Sequence, residues 1–295
     1  MTRKRSSPTI SYQQTYQEQS VPQLYKTAMY HHRRGEIPQA EFNCRQILKI
    51  QHRHTGALYL LGMIGLQCGQ VDSGISLLEK AKNLDPRNPD ICNTLGIAYR
   101  QSGKNEKAID AFRQALHSNP EFAPAYMNLG MCLQGKGDLG AAATAYKKSL
   151  EYRPDNANAL NNLGLVLQQQ GRLDEAIDVL NKALDINPDA VLILTNLSAV
   201  YVTQKEFDKS RQLLDKAISL KPDYPDAYYN LGTLHQAQGE LDEAQQAFEH
   251  AIELKPENPD AFNNLGLVYL RQDKPEQATD AFEKALELKP DFAEA

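Results

Sequence analysis

Residues 157–190 read ANALNNLGLVLQQQGRLDEAIDVLNKALDINPDA, and this stretch sets the frame for the rest of the chain. Its first half has apolar residues at helical spacing, Gly171 lies in its middle, and Pro188 stands near its end. The string Asn-Leu-Gly within it recurs at residues 128–130, 230–232 and 264–266, always at a multiple of 34 residues. A fixed period of this length is the signature of a repeat architecture.

The 34-residue step divides the chain into eight units with a common pattern. Their bounds are 21–54, 55–88, 89–122, 123–156, 157–190, 191–224, 225–258 and 259–292. Counted from the start of each unit, positions 8 and 20 are small, position 24 is bulky, position 15 is glycine in six units and position 32 is proline in seven. Small residues allow two helices to approach, glycine ends a helix in a tight turn, and proline cannot continue one. Each unit therefore predicts helix A over about positions 1–14 and helix B over about positions 18–31.

This pattern resembles the tetratricopeptide repeat family, whose signature includes Leu-Gly at positions 7–8, Ala at position 20 and Pro at position 32. The resemblance implies an all-α, right-handed α-solenoid of helix-turn-helix repeats. The first unit departs from it at Ala28, Cys44 and His52, and atypical end repeats are expected in such a stack.

Composition supports an ordered chain and excludes several classes of protein. Of the 295 residues, 41% are apolar and 23% are charged, which is ordinary for a globular protein. No apolar run is long enough to span a membrane, and the net charge of −5 argues against nucleic acid as the main ligand. The four cysteines form no C-x-x-C pair and no secretory signal precedes them, so we expect a cytoplasmic location.

The two ends of the chain differ from the body. Residues 1–54 have nine basic and three acidic residues, a net charge of +6, whereas residues 55–295 have a net charge of −11. Residues 1–20 are polar and aperiodic, which predicts a disordered basic arm. Residues 293–295 look like the start of a ninth unit, so we expect the chain to be part of a longer protein.

Enzyme and cofactor motifs are absent from the sequence. There is no phosphate-binding loop, dinucleotide fingerprint or nucleophile elbow. The His31-His32 pair and the pair His52 and His54 have no acidic or cysteine partner at metal-ligand spacing, so we expect no metal. We expect buried, unreactive thiols for most of the cysteines. The sequence predicts no catalytic residue and no cofactor.

A column of asparagines is the main candidate site. By the resemblance, helix A lines a concave groove, and positions 2, 5, 6, 9, 12 and 13 face it. Position 6 is asparagine in five consecutive units: Asn128, Asn162, Asn196, Asn230 and Asn264. The apolar residues at position 9 include Met63, Met131, Leu165 and Leu267.

An amide both donates and accepts hydrogen bonds, so such a ladder of asparagines can pair with a peptide backbone. It resembles the asparagine ladder of the O-linked N-acetylglucosamine transferase family. The alternative is that these amides only bond neighbouring helices.

Three hypotheses about function follow. The first is a non-enzymatic protein-protein interaction module that binds an extended peptide in its groove. The second is the substrate-recruiting N-terminal region of a larger glycosyltransferase-like or sulfotransferase-like enzyme, and the third is an assembly scaffold. All three predict protein or peptide partners, with no nucleic acid and no membrane span. The sequence leaves the partner's identity and the oligomeric state open.

Overall fold

The computed structural model describes residues 20–291, which form an all-α repeat solenoid. Sixteen helices and no strand occur in this range. The odd-numbered helices are α1 (Val21–Arg33), α3 (Thr55–Gln67), α5 (Pro89–Gln101), α7 (Ala123–Gly135), α9 (Ala157–Gln169), α11 (Val191–Thr203), α13 (Pro225–Gln238) and α15 (Pro259–Arg271). The even-numbered helices are α2 (Ile37–Ile50), α4 (Val71–Leu84), α6 (Asn105–Ser118), α8 (Leu139–Tyr152), α10 (Leu173–Ile186), α12 (Phe207–Leu220), α14 (Leu241–Leu254) and α16 (Pro275–Leu288). The predicted arm, apart from Ser20, and the predicted ninth unit lie outside the described residues.

The helices follow the 34-residue register, with small shifts from the predicted bounds. Odd-numbered helices start at position 1, and all but α13 end at position 13, one residue earlier than predicted. Even-numbered helices span positions 17–30 rather than 18–31. The turn thus keeps its expected length but lies one residue earlier, and the second helix ends two residues before the proline at position 32. The residue preceding that proline is not helical, and at Asn119 it is extended, because proline disfavours a helical neighbour.

One backbone conformation closes the first helix of every repeat. Position 15 has a left-handed φ of 72–84° at the six glycines. Lys205 and Asp273 adopt the same conformation, at 61° and 62°, in the two units that lack glycine. The next residue then returns its N–H to the carbonyl of position 11, as in the 2.8 Å bond from Lys104 to Tyr99. This is a Schellman-type helix end, for which glycine is the preferred residue.

The small residue at position 8 receives the bulky side chain at position 24 of the same repeat. A Cβ atom added at Gly96 would lie 2.5 Å from the Phe112 ring, and one added at Gly164 would lie 2.6 Å from Cγ of Leu180. Both bulky side chains are fully buried. The glycines therefore act as sockets for the core side chains, which explains their spacing.

The described residues fall into two compact bodies, divided after Pro120. The first body contains α1–α6 and the second contains α7–α16. Within each body, the two helices of a repeat pack together, and the odd-numbered helices of neighbouring repeats also touch, as α1 does α3 and α11 does α13. These contacts place the position-6 residues of consecutive repeats next to one another.

Candidate functional site

The asparagine column lies entirely within the second body, on five consecutive odd-numbered helices. Asn128, Asn162, Asn196, Asn230 and Asn264 are on α7, α9, α11, α13 and α15, and all are half-buried. The position-9 residues of the same helices lie one turn further along, on the same side. Met131 and Leu165 are half-buried, and Leu267 is 39% exposed. Met63 is also half-buried but belongs to α3 in the first body.

The asparagine amides donate hydrogen bonds across the boundary between repeats. Nδ2 of Asn196 donates to Oδ1 of Asn161 at 2.8 Å, and Nδ2 of Asn230 donates to the carbonyl oxygen of Thr195 at 2.8 Å. Nδ2 of Asn264 donates to the hydroxyl oxygen of Tyr229 at 3.0 Å. In each case position 6 of one repeat reaches position 5 of the preceding repeat. The column is thus part of the packing between repeats as well as a candidate binding surface.

Position 5 was expected to face the groove, but its residues are instead the hydrogen-bond partners of the asparagine column. Asn161 and Thr195 are only 4% and 1% exposed, and a buried polar group needs a hydrogen-bond partner. In the first body, the hydroxyl oxygens of Tyr59 and Thr94 pair in the same register at 3.1 Å. The available signal was the run of polar residues at position 5 of the last four repeats, directly before the asparagine of position 6.

Each bonded amide keeps hydrogen-bonding capacity for a ligand. An asparagine has two N–H donors and one carbonyl acceptor, and the bond between repeats uses a single donor. Within residues 20–291, the Oδ1 atoms of Asn196, Asn230 and Asn264 accept no hydrogen bond. Because the bond to position 5 fixes one end of the amide, the remaining groups are held in a defined orientation.

His31 and His54, two of the histidines noted in the sequence, have structural partners. Nδ1 of His31 and Oε2 of Glu36 are 2.5 Å apart, and Nδ1 of His54 accepts from the N–H of Ala57 at 3.0 Å. No group of three or more possible metal ligands occurs between residues 20 and 291. None of the helices described here has the length and apolar character needed to cross a membrane.

Three of the four cysteines are buried, as expected for most of them. Cys44, Cys92 and Cys132 are in the core, whereas Cys68 follows α3 and is exposed. Burial raises the pKa of the Cys44 thiol to about 12 and also raises that of Cys92. These two thiols therefore stay protonated and unreactive near neutral pH.

Two family models match the chain. The model described as the cilia and flagella-associated protein 70 C-terminal domain matches residues 23–251, and a tetratricopeptide repeat model matches residues 225–291. No curated protein matches significantly. The resemblance to the O-linked N-acetylglucosamine transferase family is not supported by these matches and stays a prediction.

Solved structures with the same fold include a chain of the APC/C hetero-tetramer Cut9-Hcn1, at 18% identity and a TM-score of 0.67. That match covers 88% of this chain but 51% of the other, so the chain spans about half the length of that relative. A tetratricopeptide repeat protein from Parabacteroides merdae matches at 18% identity and a TM-score of 0.66, covering 84% of this chain and 98% of that one. A third match is to pilF of Pseudomonas aeruginosa, at 24% identity and a TM-score of 0.56, covering 70% and 94%.

These structural matches establish the fold, and the first family model covers more than half of the chain. The chain therefore belongs to the tetratricopeptide repeat proteins, in the family described as the cilia and flagella-associated protein 70 C-terminal domain.

Proposed function

We propose that this chain is a non-enzymatic protein-interaction module that holds an extended peptide along the asparagine column of the second body. Tetratricopeptide repeat folds serve in general as interaction modules. The observation that supports a specific site is the set of bonds that orient Asn196, Asn230 and Asn264 at successive repeats. Amides fixed in this way lose little freedom on binding a ligand, which favours affinity.

The spacing of the asparagines suits an extended chain. Packed helices have axes about 8–10 Å apart, and an extended peptide rises about 3.3 Å per residue. One asparagine would thus meet about every third residue of the peptide. Each amide oxygen accepts from a peptide N–H, so the contact is with the backbone and does not depend on the peptide's side chains.

The position-9 residues supply apolar contacts beside the amides. Met131, Leu165 and the exposed Leu267 lie one helical turn from Asn128, Asn162 and Asn264, respectively. They carry no charge, so the contact surface formed by the two columns is neutral. We therefore expect broad selectivity, with a preference for apolar side chains.

The test starts with a 12-residue peptide selected from a displayed library against the full chain. The triple substitution of Asn162, Asn196 and Asn230 by Ala should weaken its binding at least tenfold. Asn181→Ala is the matched control, because Asn181 is an exposed asparagine on α10. Circular dichroism checks that the helices are retained. Unchanged affinity in the triple variant would overturn the proposal.

A second measurement distinguishes backbone recognition from side-chain recognition. N-methylation of alternate peptide bonds removes N–H donors without altering the side chains. The proposal predicts a loss of binding on N-methylation and small effects from alanine scanning of the peptide. The reverse result would mean that side chains are read instead.

Two narrower hypotheses share this site. One is recruitment of substrates to a glycosyltransferase-like or sulfotransferase-like enzyme, and the other is scaffolding of an assembly. Transferase activity of the protein as expressed from its complete gene, measured on a bound peptide, separates them: activity favours recruitment and its absence favours scaffolding.

A further inference from the structure

A hollow of about 590 Å³ lies in the first body, between α2, α4 and the C-terminal half of α3. Its apolar surface is formed by Leu48, Leu61, Ile64 and Leu77, and its charged lining residues are Glu41, Arg45, Lys49 and Lys80. The α3 residues that line it are at positions 7, 10 and 11 of the repeat, and Cys68, which follows α3, is at position 14. These positions differ from positions 6 and 9, so the hollow is a separate surface from the asparagine column.

The hollow coincides with a missing side chain in the repeat pattern. In the third and eighth repeats, position 11 is a tyrosine whose hydroxyl donates to a glutamate at position 25 of the preceding repeat. These pairs are Tyr99 to Glu79 at 2.6 Å and Tyr269 to Glu249 at 3.0 Å. At the hollow, the equivalent residues are Gly65 and Arg45, and both line it. The aromatic ring is absent and the carboxylate is replaced by a guanidinium.

Position 11 lacks a side chain in this repeat alone. The eight residues at this position are His31, Gly65, Tyr99, Leu133, Leu167, Tyr201, His235 and Tyr269. By register, the space beside Gly65 therefore corresponds to the place of the tyrosine ring in the third and eighth repeats. An aromatic side chain supplied by another protein has the shape to fill it.

The charges around the hollow favour an acidic ligand. Nη2 of Arg45 is 2.6 Å from Oε1 of Glu41, so these two charges are paired. Lys49 and Lys80 are both exposed and form no ion pair with any residue between 20 and 291. Residues 1–19 contain three basic residues and one acidic residue, so they have the same sign as the lysines and do not complement them.

We propose that the hollow binds an acidic segment of a partner protein, which inserts one aromatic side chain beside Gly65. The ring would contact Leu48, Ile64 and Leu77, and the flanking carboxylates would pair with Lys49 and Lys80. This site is independent of peptide binding at the asparagine column, and either can fail without the other.

Cys68 provides a direct readout of occupancy. It lines the hollow and is exposed, whereas the other three cysteines are buried. The rate at which iodoacetamide alkylates Cys68 in the native full chain, measured by mass spectrometry, should fall when the hollow is filled. The probe is the blocked peptide Asp-Asp-Phe-Asp-Asp at millimolar concentration. Asp-Asp-Ala-Asp-Asp and Lys-Lys-Phe-Lys-Lys are the comparison peptides.

Protection by the first peptide and not by the other two is the expected result. The double variant Lys49→Glu, Lys80→Glu should weaken the protecting effect by about tenfold or more, since each substitution replaces an attraction by a repulsion. Arg113→Glu is the matched control, because Arg113 is an exposed basic residue at position 25 of another repeat.

A second variant tests the cavity rather than the charge. Ser76→Trp places a bulky ring at an exposed residue that lines the hollow, and it leaves the close contact of Gly65 with Gly74 untouched. Binding of the Asp-Asp-Phe-Asp-Asp peptide, followed by calorimetry, should be lost in this variant.

Equal protection by all three peptides, binding that survives both variants, or no protection by any of the peptides would overturn the proposal. Protection by phosphatidylserine vesicles but not by the peptide would also overturn it.

Discussion

The two bodies of this chain share one 34-residue repeat but differ in the residues at some of its positions. In the second body, position 6 is asparagine in every repeat. In the first body, the same position is Lys26, Leu60 and Thr94. The residues at positions 8, 15 and 24 keep their roles in both bodies. The comparison indicates that positions 8, 15 and 24 fix the fold, whereas positions 6 and 11 vary between repeats and form separate surfaces.

At the turns it is the first body that is uniform, since glycine occupies position 15 in each of its repeats but not in each repeat of the second body. All three turns of the first body have glycine at position 15: Gly35, Gly69 and Gly103. Two of the five turns of the second body have Lys205 or Asp273 there, in the same left-handed conformation. The backbone thus keeps a conformation that costs L-residues about 1–2 kcal/mol, because the surrounding helices impose it.

The largest expected effect tests whether the core is equivalent in the two bodies. Phe112→Ala and Phe248→Ala each remove a fully buried ring at position 24, one in each body. Each should lower the free energy of unfolding by about 3–5 kcal/mol, measured by urea denaturation. Phe42→Ala, at a 51% exposed ring on α2, is the control and should cost far less. A large loss in one body alone would break the equivalence.

The glycine sockets should show a smaller effect. Gly96→Ala and Gly232→Ala place a Cβ 2.5 Å and 2.7 Å from the Phe112 and Phe248 rings. Overpacking of this kind costs about 1–3 kcal/mol. Gly140→Ala is the matched control, since the nearest atom to its Cβ would be Oδ1 of Asp138, at 3.9 Å. We expect it to stabilise helix α8 by up to about 1 kcal/mol. Thermal melts followed by circular dichroism would rank the three variants, and equal melting temperatures would argue against the socket role.

The turn residues should sharpen the contrast between the bodies. Lys205→Gly and Asp273→Gly should each raise the free energy of unfolding by about 0.5–1 kcal/mol, because glycine has no Cβ penalty at positive φ. Gly103→Ala, in the first body, should lower it by a similar amount. Urea denaturation of all three variants provides the measurement. Destabilisation by the two glycine substitutions would show that the Lys205 and Asp273 side chains contribute more than the backbone strain costs.

The smallest expected effect concerns Tyr99 and Tyr269, the tyrosines at position 11, where the repeat with the hollow has Gly65. Desolvation, together with the hydrogen bonds to Glu79 and Glu249, raises the pKa of Tyr99 and of Tyr269 to about 12. The ordinary tyrosine pKa is about 10. Because the folded state favours the neutral phenol, this stabilisation is complete below pH 10 and is lost as the pH rises towards 12.

Absorbance at 295 nm would follow this titration. Tyr99→Phe and Tyr269→Phe should each remove one of the late-titrating phenols, and the two variants should behave alike in the two bodies. Loss of a phenol that titrates near pH 10 would contradict the assignment.

The sequence predicted the fold in most respects. The columns at positions 8, 15, 20, 24 and 32 were sufficient to assign helix pairs, because each residue type there has a local backbone or packing reason. The helix bounds were wrong by one residue at several ends. In the turn, the N–H at position 16 bonds to the carbonyl of position 11, and the second helix starts one residue earlier than predicted. This bond is visible only in three dimensions.

The candidate site was predicted less completely. The asparagine column was found from its period. Its bonds to position 5 were not predicted, because the polar residues at position 5 do not by themselves show which residue 35 positions away they contact. The sequence alone shows that Gly65 is the one glycine among the eight residues at position 11. That its missing side chain opens a hollow beside Arg45, Lys49 and Lys80 depends on how α2 and α4 approach α3.

The sequence by itself determined the repeat length, the helix-turn-helix unit and the chemistry of each column, because these follow from local preferences repeated at a fixed period. The tertiary structure decided which columns meet across neighbouring repeats, which amides are already bonded, and where a missing side chain leaves space. Those properties depend on contacts between residues of different repeats, and the helix packing within each body sets them.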